Sequence, residues 1–126
     1  MFQAGIRAHF IASRLAAPLL IEHQGLIINL SFFAAQRNDK GVAYGAAKAA
    51  TDHMVACMAE ELRKYNVATI SLYPGVVRTE AVLKAAEHLD FSNSESPQFI
   101  GRAVVALACH QRIMIISGKR LIDADL

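Results

Sequence analysis

The sequence predicts an α/β fold in which three parallel strands are flanked by helices. Three short apolar stretches alternate with longer segments of helical character along the 126 residues. Chains that alternate helix and strand in this way form parallel sheets with right-handed crossovers. Because the stretches are apolar on both faces, we expect helices on both sides of the sheet.

Length and composition restrict the chain to one domain without a disulfide framework. Apolar residues make up 54% of the chain and charged residues 19%, which excludes general disorder. A net charge of +2 does not indicate a nucleic-acid-binding surface. Cys57 and Cys109 form no C-x-x-C motif, so a cysteine zinc site is excluded and a reducing compartment fits. The five histidines show no metal-ligand spacing, so no metal is expected.

The first 21 residues carry two arginines, Arg7 and Arg14, and no acidic side chain. This composition fits a mitochondrial presequence, but helical spacing of the apolar residues also predicts a helix to about Leu20. The longest unbroken apolar runs, Leu15–Ile21 and Ala103–Cys109, are seven residues each, whereas a spanning helix needs about 18. We therefore expect a cytoplasmic protein without a membrane segment, and a mitochondrial location is the less favoured alternative.

The first half of the chain holds two predicted strands around one long helix. Gly25–Ser31 is short, apolar and opened by glycine, which predicts a buried strand. A polar loop over Gln36–Gly41 separates it from an alanine-rich helix over Val42–Tyr65. The second strand is predicted over Val67–Leu72 and ends at a Pro-Gly pair.

The second half begins with a short predicted helix over Glu80–Leu89. A helix that ends near Cys109 is expected after Ser96, whose hydroxyl caps it, with proline at its first position. A strand is predicted over Ile113–Ile116 from residue propensity alone. The last predicted strand is the apolar-alternating segment Lys119–Ala124.

The strongest chemical signal is the pair Tyr44 and Lys48 at the start of the long helix. Residues four apart on a helix share one face, with Cβ atoms about 5–6 Å apart. A lysine ammonium beside a phenol stabilises the phenolate and lowers the tyrosine pKa below its free value near 10. Tyr44 is therefore a candidate general acid/base, although the pair alone also fits an ordinary surface contact.

The order of motifs around this pair resembles the short-chain dehydrogenase/reductase family. An apolar strand ends at Ser31, the Tyr-x-x-x-Lys helix follows, and the next strand runs into a Pro-Gly-x-x-x-Thr turn that ends at Thr79. The resemblance covers nearly the whole chain. It implies a partial Rossmann-like doubly wound fold in which the three strands are the family's strands five to seven. Residues 1–126 would then form a single partial domain, the catalytic and substrate half.

The resemblance also implies an NAD(P)-dependent oxidoreductase that transfers hydride between carbonyl and alcohol compounds. Tyr44 would exchange a proton with the substrate oxygen, and Ser31 would bind the substrate carbonyl oxygen. Lys48 would lower the pKa of Tyr44 and hydrogen-bond the nicotinamide ribose. The nicotinamide wall and the carboxamide contacts would come from Pro74, Gly75, the Val77 main chain and the Thr79 hydroxyl.

Three departures from the family pattern stand out. The spacing from Tyr44 favours Ser31 as the catalytic serine, whereas an alignment from Gly25 puts Phe32 in that position. The helix asparagine that holds a relay water in the family is replaced by Gly5. The glycine-rich nucleotide-binding turn, Thr-Gly-x-x-x-Gly-x-Gly, does not occur in the chain.

These departures imply a truncated chain that is inactive alone and does not bind NAD or NADP with ordinary affinity. Its partners would be a small carbonyl or alcohol substrate and either further copies of itself or a separate N-terminal half. Arg78 is either a contact to substrate or to a cofactor phosphate, or a solvated loop residue, which is the favoured alternative. Glu80–Ser96 is either a substrate lid or a plain surface connection. The alternative from a different functional class is a non-enzymatic remnant that acts as a dimerisation or interaction module. Its helix face would be Ala46, Ala49, Ala50 and Met54.

Overall fold

A computed structural model of the protein describes residues 1–38, 40–84 and 90–126. A π-helical turn over Gln3–Arg7 leads directly into the first α-helix. The helices are α1, Ala8–His23; α2, Val42–Leu62; α3, Glu80–Lys84; and α4, Pro97–Ala108. The strands are β1, Leu26–Leu30; β2, Ala68–Tyr73; β3, Val76–Val77; β4, Ser94–Glu95; and β5, Arg120–Ile122.

Three of the strands form one parallel sheet in the order β1-β2-β5, which confirms the predicted fold class. Ile27 lies opposite Thr69, and Leu72 lies opposite Leu121. The central strand β2 is buried along its whole length. A second parallel pair, β3 with β4, joins the segment after β2 to the segment before α4.

The two faces of β2 meet different layers because successive side chains point to opposite sides of a strand. Ile70 and Leu72 belong to a buried cluster with three α4 residues, namely Ile100, Ala103 and Leu107. The opposite face carries Thr69, Ser71 and Tyr73, and these side chains bond to α2. The expectation of helices on both sides is met, but the face toward α2 is polar and hydrogen-bonded.

Local signals explain two of the helix ends. The Ser96 hydroxyl accepts a hydrogen bond from the Phe99 main chain at 3.2 Å, as an N-cap does. Helix α1 runs past Pro18 and stops at Gln24, which has a left-handed φ of 53°. Helix α2 ends at Leu62, and a short 3-10 turn then reaches residue 65 before β2 begins.

One predicted strand was wrong. Ile113–Ile115 forms a 3-10 turn, and its main chain bonds locally, from Ile115 to Arg112 and from Ile116 to Ile113. Packing overrides the β-propensity of the isoleucines here, since Ile113 and Ile116 lie against the α4 cluster. Of the helix predicted over Glu80–Leu89, α3 forms the first part, and residues 85–89 lie outside the described residues.

The N-terminal helix exposes much of its apolar surface. Phe10, Leu15 and Leu19 are 52%, 73% and 64% exposed. Within the described residues, the stretch Gln3–His23 has the length and composition that would allow it to cross a membrane, with a mean hydropathy of 1.2. Core helices and leader sequences share these properties, so the absence of a membrane segment stays a prediction.

Candidate active site

The structure brings Tyr44 and Lys48 together at the carboxyl edge of the parallel sheet. The Lys48 ammonium Nζ lies 5.6 Å from the centre of the Tyr44 ring and donates a hydrogen bond to the Leu30 carbonyl at 3.0 Å. Gly45 permits this placement, because a Cβ there would lie 2.9 Å from the Ala34 carbonyl oxygen. The first turn of α2 is therefore fitted closely against the chain that leaves β1.

Burial and a neighbouring charge act on the pKa of Lys48 in opposite directions. Burial lowers the pKa of the Lys48 ammonium, and the carboxylate of Asp52, one helical turn further on, opposes that effect. His9 of α1 is also affected, since burial and the positive charge of Lys48 both lower the pKa of its imidazole. Lys48 thus joins α2 to the end of β1 by a hydrogen bond and acts on α1 through its charge.

The two candidates for the carbonyl-binding position occupy different places. Ser31 is 2% exposed, and its hydroxyl donates to the Lys48 main-chain carbonyl at 3.3 Å. Phe32 is half-buried, and its ring packs edge-on against Tyr44 with centroids 6.3 Å apart. This geometry agrees with the alignment from Gly25, which puts Phe32 beside Tyr44, and not with the favoured expectation that the Ser31 hydroxyl faces the cleft. The catalytic role of Ser31 stays a prediction.

A hydrogen-bonded network behind Lys48 was missed at the level of sequence. The Ser71 hydroxyl donates to Asp52 at 2.9 Å, and the Tyr73 hydroxyl donates to the other oxygen of the same carboxylate. Gln36 in turn donates to the Tyr73 oxygen at 3.2 Å. Burial and Asp52 together raise the pKa of the Tyr73 phenol, which keeps it protonated. The four-residue spacing between Lys48 and Asp52 was the available signal.

The predicted nicotinamide-binding turn lies after β2, at the same edge of the sheet. Pro74 and Gly75 lead into β3, where Val77 pairs with Glu95 of β4. The Thr79 hydroxyl is exposed and accepts a hydrogen bond from the Val82 main chain at 3.3 Å, at the start of α3.

Arg78 of this turn is bonded within the protein. Its guanidinium donates to the Ser94 carbonyl at 2.8 Å and to the Ser94 hydroxyl at 2.7 Å. These bonds give Arg78 a local role that the sequence did not indicate, in which it fastens the turn after β2 to β4.

Two acidic side chains lie against the same turn. Glu95 accepts a hydrogen bond from the Gly75 main chain at 2.9 Å, and a Cβ on Gly75 would meet its carboxylate. Burial raises the pKa of Glu95, and the neighbouring carboxyl of Asp123 raises it further. Asp123 is 2% exposed, and its carboxyl faces Glu95. Both burial and the second carboxyl therefore act on Glu95 in the same direction, toward a higher pKa.

No group of three or more histidine, cysteine, aspartate or glutamate side chains could hold a metal ion within residues 1–38, 40–84 and 90–126.

Known proteins are similar to the chain in both sequence and fold. The family model for short chain dehydrogenases matches residues 1–90. Over 136 residues the chain is 38% identical to Dehydrogenase/reductase SDR family member 1 of Mus musculus. This alignment covers 97% of the present chain and 44% of the mouse protein. A solved structure described as a short chain dehydrogenase/reductase family protein is 28% identical, with a TM-score of 0.81 over 96% of this chain and 53% of its own.

A second solved structure carries ligands. It is 7 alpha-hydroxysteroid dehydrogenase complexed with NADH and 7-oxo glycochenodeoxycholic acid, 26% identical, with a TM-score of 0.76 over 94% of this chain and 50% of its own. The chain spans about half the length of the relatives it matches. The match of the family model to most of the chain, together with the parallel sheet and the Tyr44–Lys48 pair, shows that the chain belongs to the short-chain dehydrogenase/reductase family of oxidoreductases.

Proposed function

We propose that the chain is the catalytic and substrate half of an NAD(P)-dependent oxidoreductase that interconverts a small carbonyl compound and its alcohol. The observation that carries this proposal is the position of the Lys48 ammonium beside Tyr44 at the carboxyl edge of the parallel sheet. Open α/β sheets bind ligands at this edge. The names of the similar proteins, which are dehydrogenases and reductases, support the same class of reaction.

Tyr44 would act as the general acid in reduction and as the general base in oxidation. Its phenol donates a proton to the substrate oxygen as the carbonyl becomes an alcohol, and the Lys48 ammonium stabilises the phenolate that remains. A bound nicotinamide supplies the hydride chemistry. Ser31, the serine that the sequence favours, would have to release the Lys48 carbonyl before its hydroxyl could bind a substrate oxygen.

The residues at the sheet edge fit one end of the cofactor. Lys48 uses one of its three ammonium donors on Leu30, which leaves two for a ribose hydroxyl. The exposed Thr79 hydroxyl accepts from Val82 and keeps its proton for a carboxamide oxygen. The pyrophosphate is recognised by a glycine-rich turn at a helix N-terminus, a motif that the sequence lacks, and the adenosine ribose by an acidic residue that follows that turn.

We therefore expect the chain to bind NADH and NADPH weakly when it is alone. A few neutral hydrogen bonds of about 1 kcal/mol each do not offset the several kcal/mol that association costs. Isothermal titration of the purified chain is expected to show a Kd above about 100 μM, or less than roughly 5.5 kcal/mol of binding free energy. A tighter complex would contradict this assignment of the cofactor contacts.

The proposed activity is tested by joining the chain to a family nucleotide-binding half that carries the glycine-rich turn. Oxidation of NADH or NADPH is then followed with a panel of small ketones and aldehydes. Tyr44→Phe is expected to abolish turnover while cofactor binding remains. Tyr65→Phe is the matched control, since Tyr65 is exposed at the end of α2 and should leave turnover unchanged. Full activity of Tyr44→Phe would refute the acid/base role.

A second candidate function, a dimerisation module, is favoured by the surface of α1. Phe10, Leu15 and Leu19 present apolar side chains that the described part of the chain leaves exposed. Burying such a surface between two copies would stabilise a homo-oligomer. Analytical ultracentrifugation of the chain and of Leu15→Glu distinguishes the cases, because the charge should dissociate an oligomer built on this face.

We propose a cytoplasmic location, which fractionation of cells expressing a tagged chain would test.

A further inference from the structure

Two consecutive turns of α2 are fastened to the ends of two neighbouring strands. Lys48 donates to the Leu30 carbonyl at the end of β1. One turn later, Asp52 receives hydrogen bonds from Ser71 and Tyr73 at the end of β2. Because β1 and β2 pair in register at this edge, with Leu30 opposite Leu72, the ammonium and the carboxylate are both fixed beside it.

The hydrogen bonds fix the position of the Asp52 side chain. Hydroxyl groups of Ser71 and Tyr73 donate to its two oxygens, one to each. The Tyr73 hydroxyl is oriented in turn by Gln36, which donates to its oxygen. A fixed negative charge therefore stands one helical turn from Lys48, on the same face of α2.

We propose that Asp52 is a positioning residue for the Tyr44–Lys48 pair, and that its carboxylate, held by Ser71 and Tyr73 one helical turn away, favours the charged form of the half-buried Lys48 ammonium. This role rests on the proposed function, because it matters for catalysis only if Lys48 acts on Tyr44. Without the carboxylate, the effect of burial would be unopposed, and the equilibrium would shift toward the neutral amine, which cannot stabilise a phenolate.

Other titratable groups also face this region. His9 approaches Lys48 from α1, and Tyr44 lies on the preceding turn of α2. Tyr73 faces Asp52 from β2, and Arg120 of β5 acts on Tyr73. Among these groups, Asp52 is the one that favours the charged form of Lys48.

The experiment measures the titration of Lys48 without requiring turnover. The full chain is labelled briefly with acetic anhydride across a range of pH, and acetylation of each lysine is quantified by peptide mass spectrometry. The midpoint of the Lys48 profile reports the charge state of the amine, whereas the plateau at high pH reports its accessibility. Asp52→Asn should move the midpoint to lower pH and raise Lys48 acetylation at neutral pH by about threefold or more.

Control variants separate a charge effect from loosened packing. Glu60→Gln removes an exposed carboxylate from the same helix and should leave the Lys48 midpoint unchanged. Asp52→Glu should restore much of the wild-type midpoint, and Tyr73→Phe should move it partway toward that of Asp52→Asn. A plateau that changes while the midpoint of Asp52→Asn stays at the wild-type value would overturn the role of Asp52. The proposed function would stand in that case, since its own test is the turnover of Tyr44→Phe in the joined protein.

Discussion

Replacing Phe32 with serine tests which residue of the β1 end lies where a substrate carbonyl would bind. In the structure the Phe32 ring is next to Tyr44, while the Ser31 hydroxyl is turned to the Lys48 main chain. Phe32→Ser would place a hydroxyl where the ring now stands. We expect this variant to be more active than the parent chain when both are joined to a nucleotide-binding half.

Phe32→Ser should change two quantities, kcat through the new hydroxyl and the free energy of unfolding through the loss of the ring. A hydrogen-bond donor aimed at a developing oxyanion contributes about 10²–10³ in kcat. Truncation of a fully buried phenylalanine costs about 3–5 kcal/mol, and the half-buried Phe32 should lose about half of that, including its edge contacts with Tyr44 and Phe33. A domain with about 5–15 kcal/mol of stability tolerates this loss.

The assay compares kcat for one ketone among the parent chain, Phe32→Ser, Ser31→Ala and the double variant, with circular dichroism as a check of folding. The expected order is a gain for Phe32→Ser and a small effect of Ser31→Ala. If Ser31→Ala removes activity and Phe32→Ser adds none, then Ser31 is the carbonyl-binding residue and our interpretation of the geometry is wrong.

Further predictions concern stability. Ile70→Ala, at a fully buried position of the central strand, should lower the free energy of unfolding by about 2–5 kcal/mol in urea titrations, and a smaller loss than Ile70→Val would contradict its core role. Ser96→Ala should cost about 1 kcal/mol, measured by thermal unfolding, because it removes the cap of α4, whereas Ser92→Ala should not. The raised pKa of Glu95 means that the folded state holds its proton more tightly than the unfolded state does, so stability should fall as pH rises above the ordinary glutamate value of 4.5. Glu95→Gln should flatten that part of the stability–pH curve, and an unchanged slope would show that Glu95 does not titrate there.

The sequence was sufficient to predict features that depend on short-range spacing. Tyr44 and Lys48 meet because residues four apart on a helix share a face, and the cap at Ser96 follows from local chemistry. The same spacing relates Lys48 to Asp52, but the partners of Asp52 lie on β2, about 20 positions away, and no local pattern indicates them. The network therefore became visible only in the folded chain.

The position of the β1 end could not be settled by counting residues. Neighbouring residues of an extended chain point to opposite sides, so a shift of one position exchanges the Ser31 hydroxyl for the Phe32 ring. The loop that follows β1 can change in length without changing the fold. The number of residues before Tyr44 therefore does not determine which residue occupies the position at the end of β1. The strand predicted at Ile113–Ile116 failed for a different reason, since packing against α4 decided its backbone.

The parallel pairing of β1 with β2 has a kinetic consequence. Its partners, such as Ile27 and Thr69, are about 40 positions apart, and α2 lies between them. Contacts between residues that are so far apart in the sequence slow folding, because the intervening chain loses conformational entropy before the strands can pair. Meanwhile the outer edge of β1, which has one strand neighbour within the described residues, can add strands from other chains. The yield of soluble chain after dilution from denaturant should therefore fall steeply with protein concentration, as folding competes with a second-order reaction between chains.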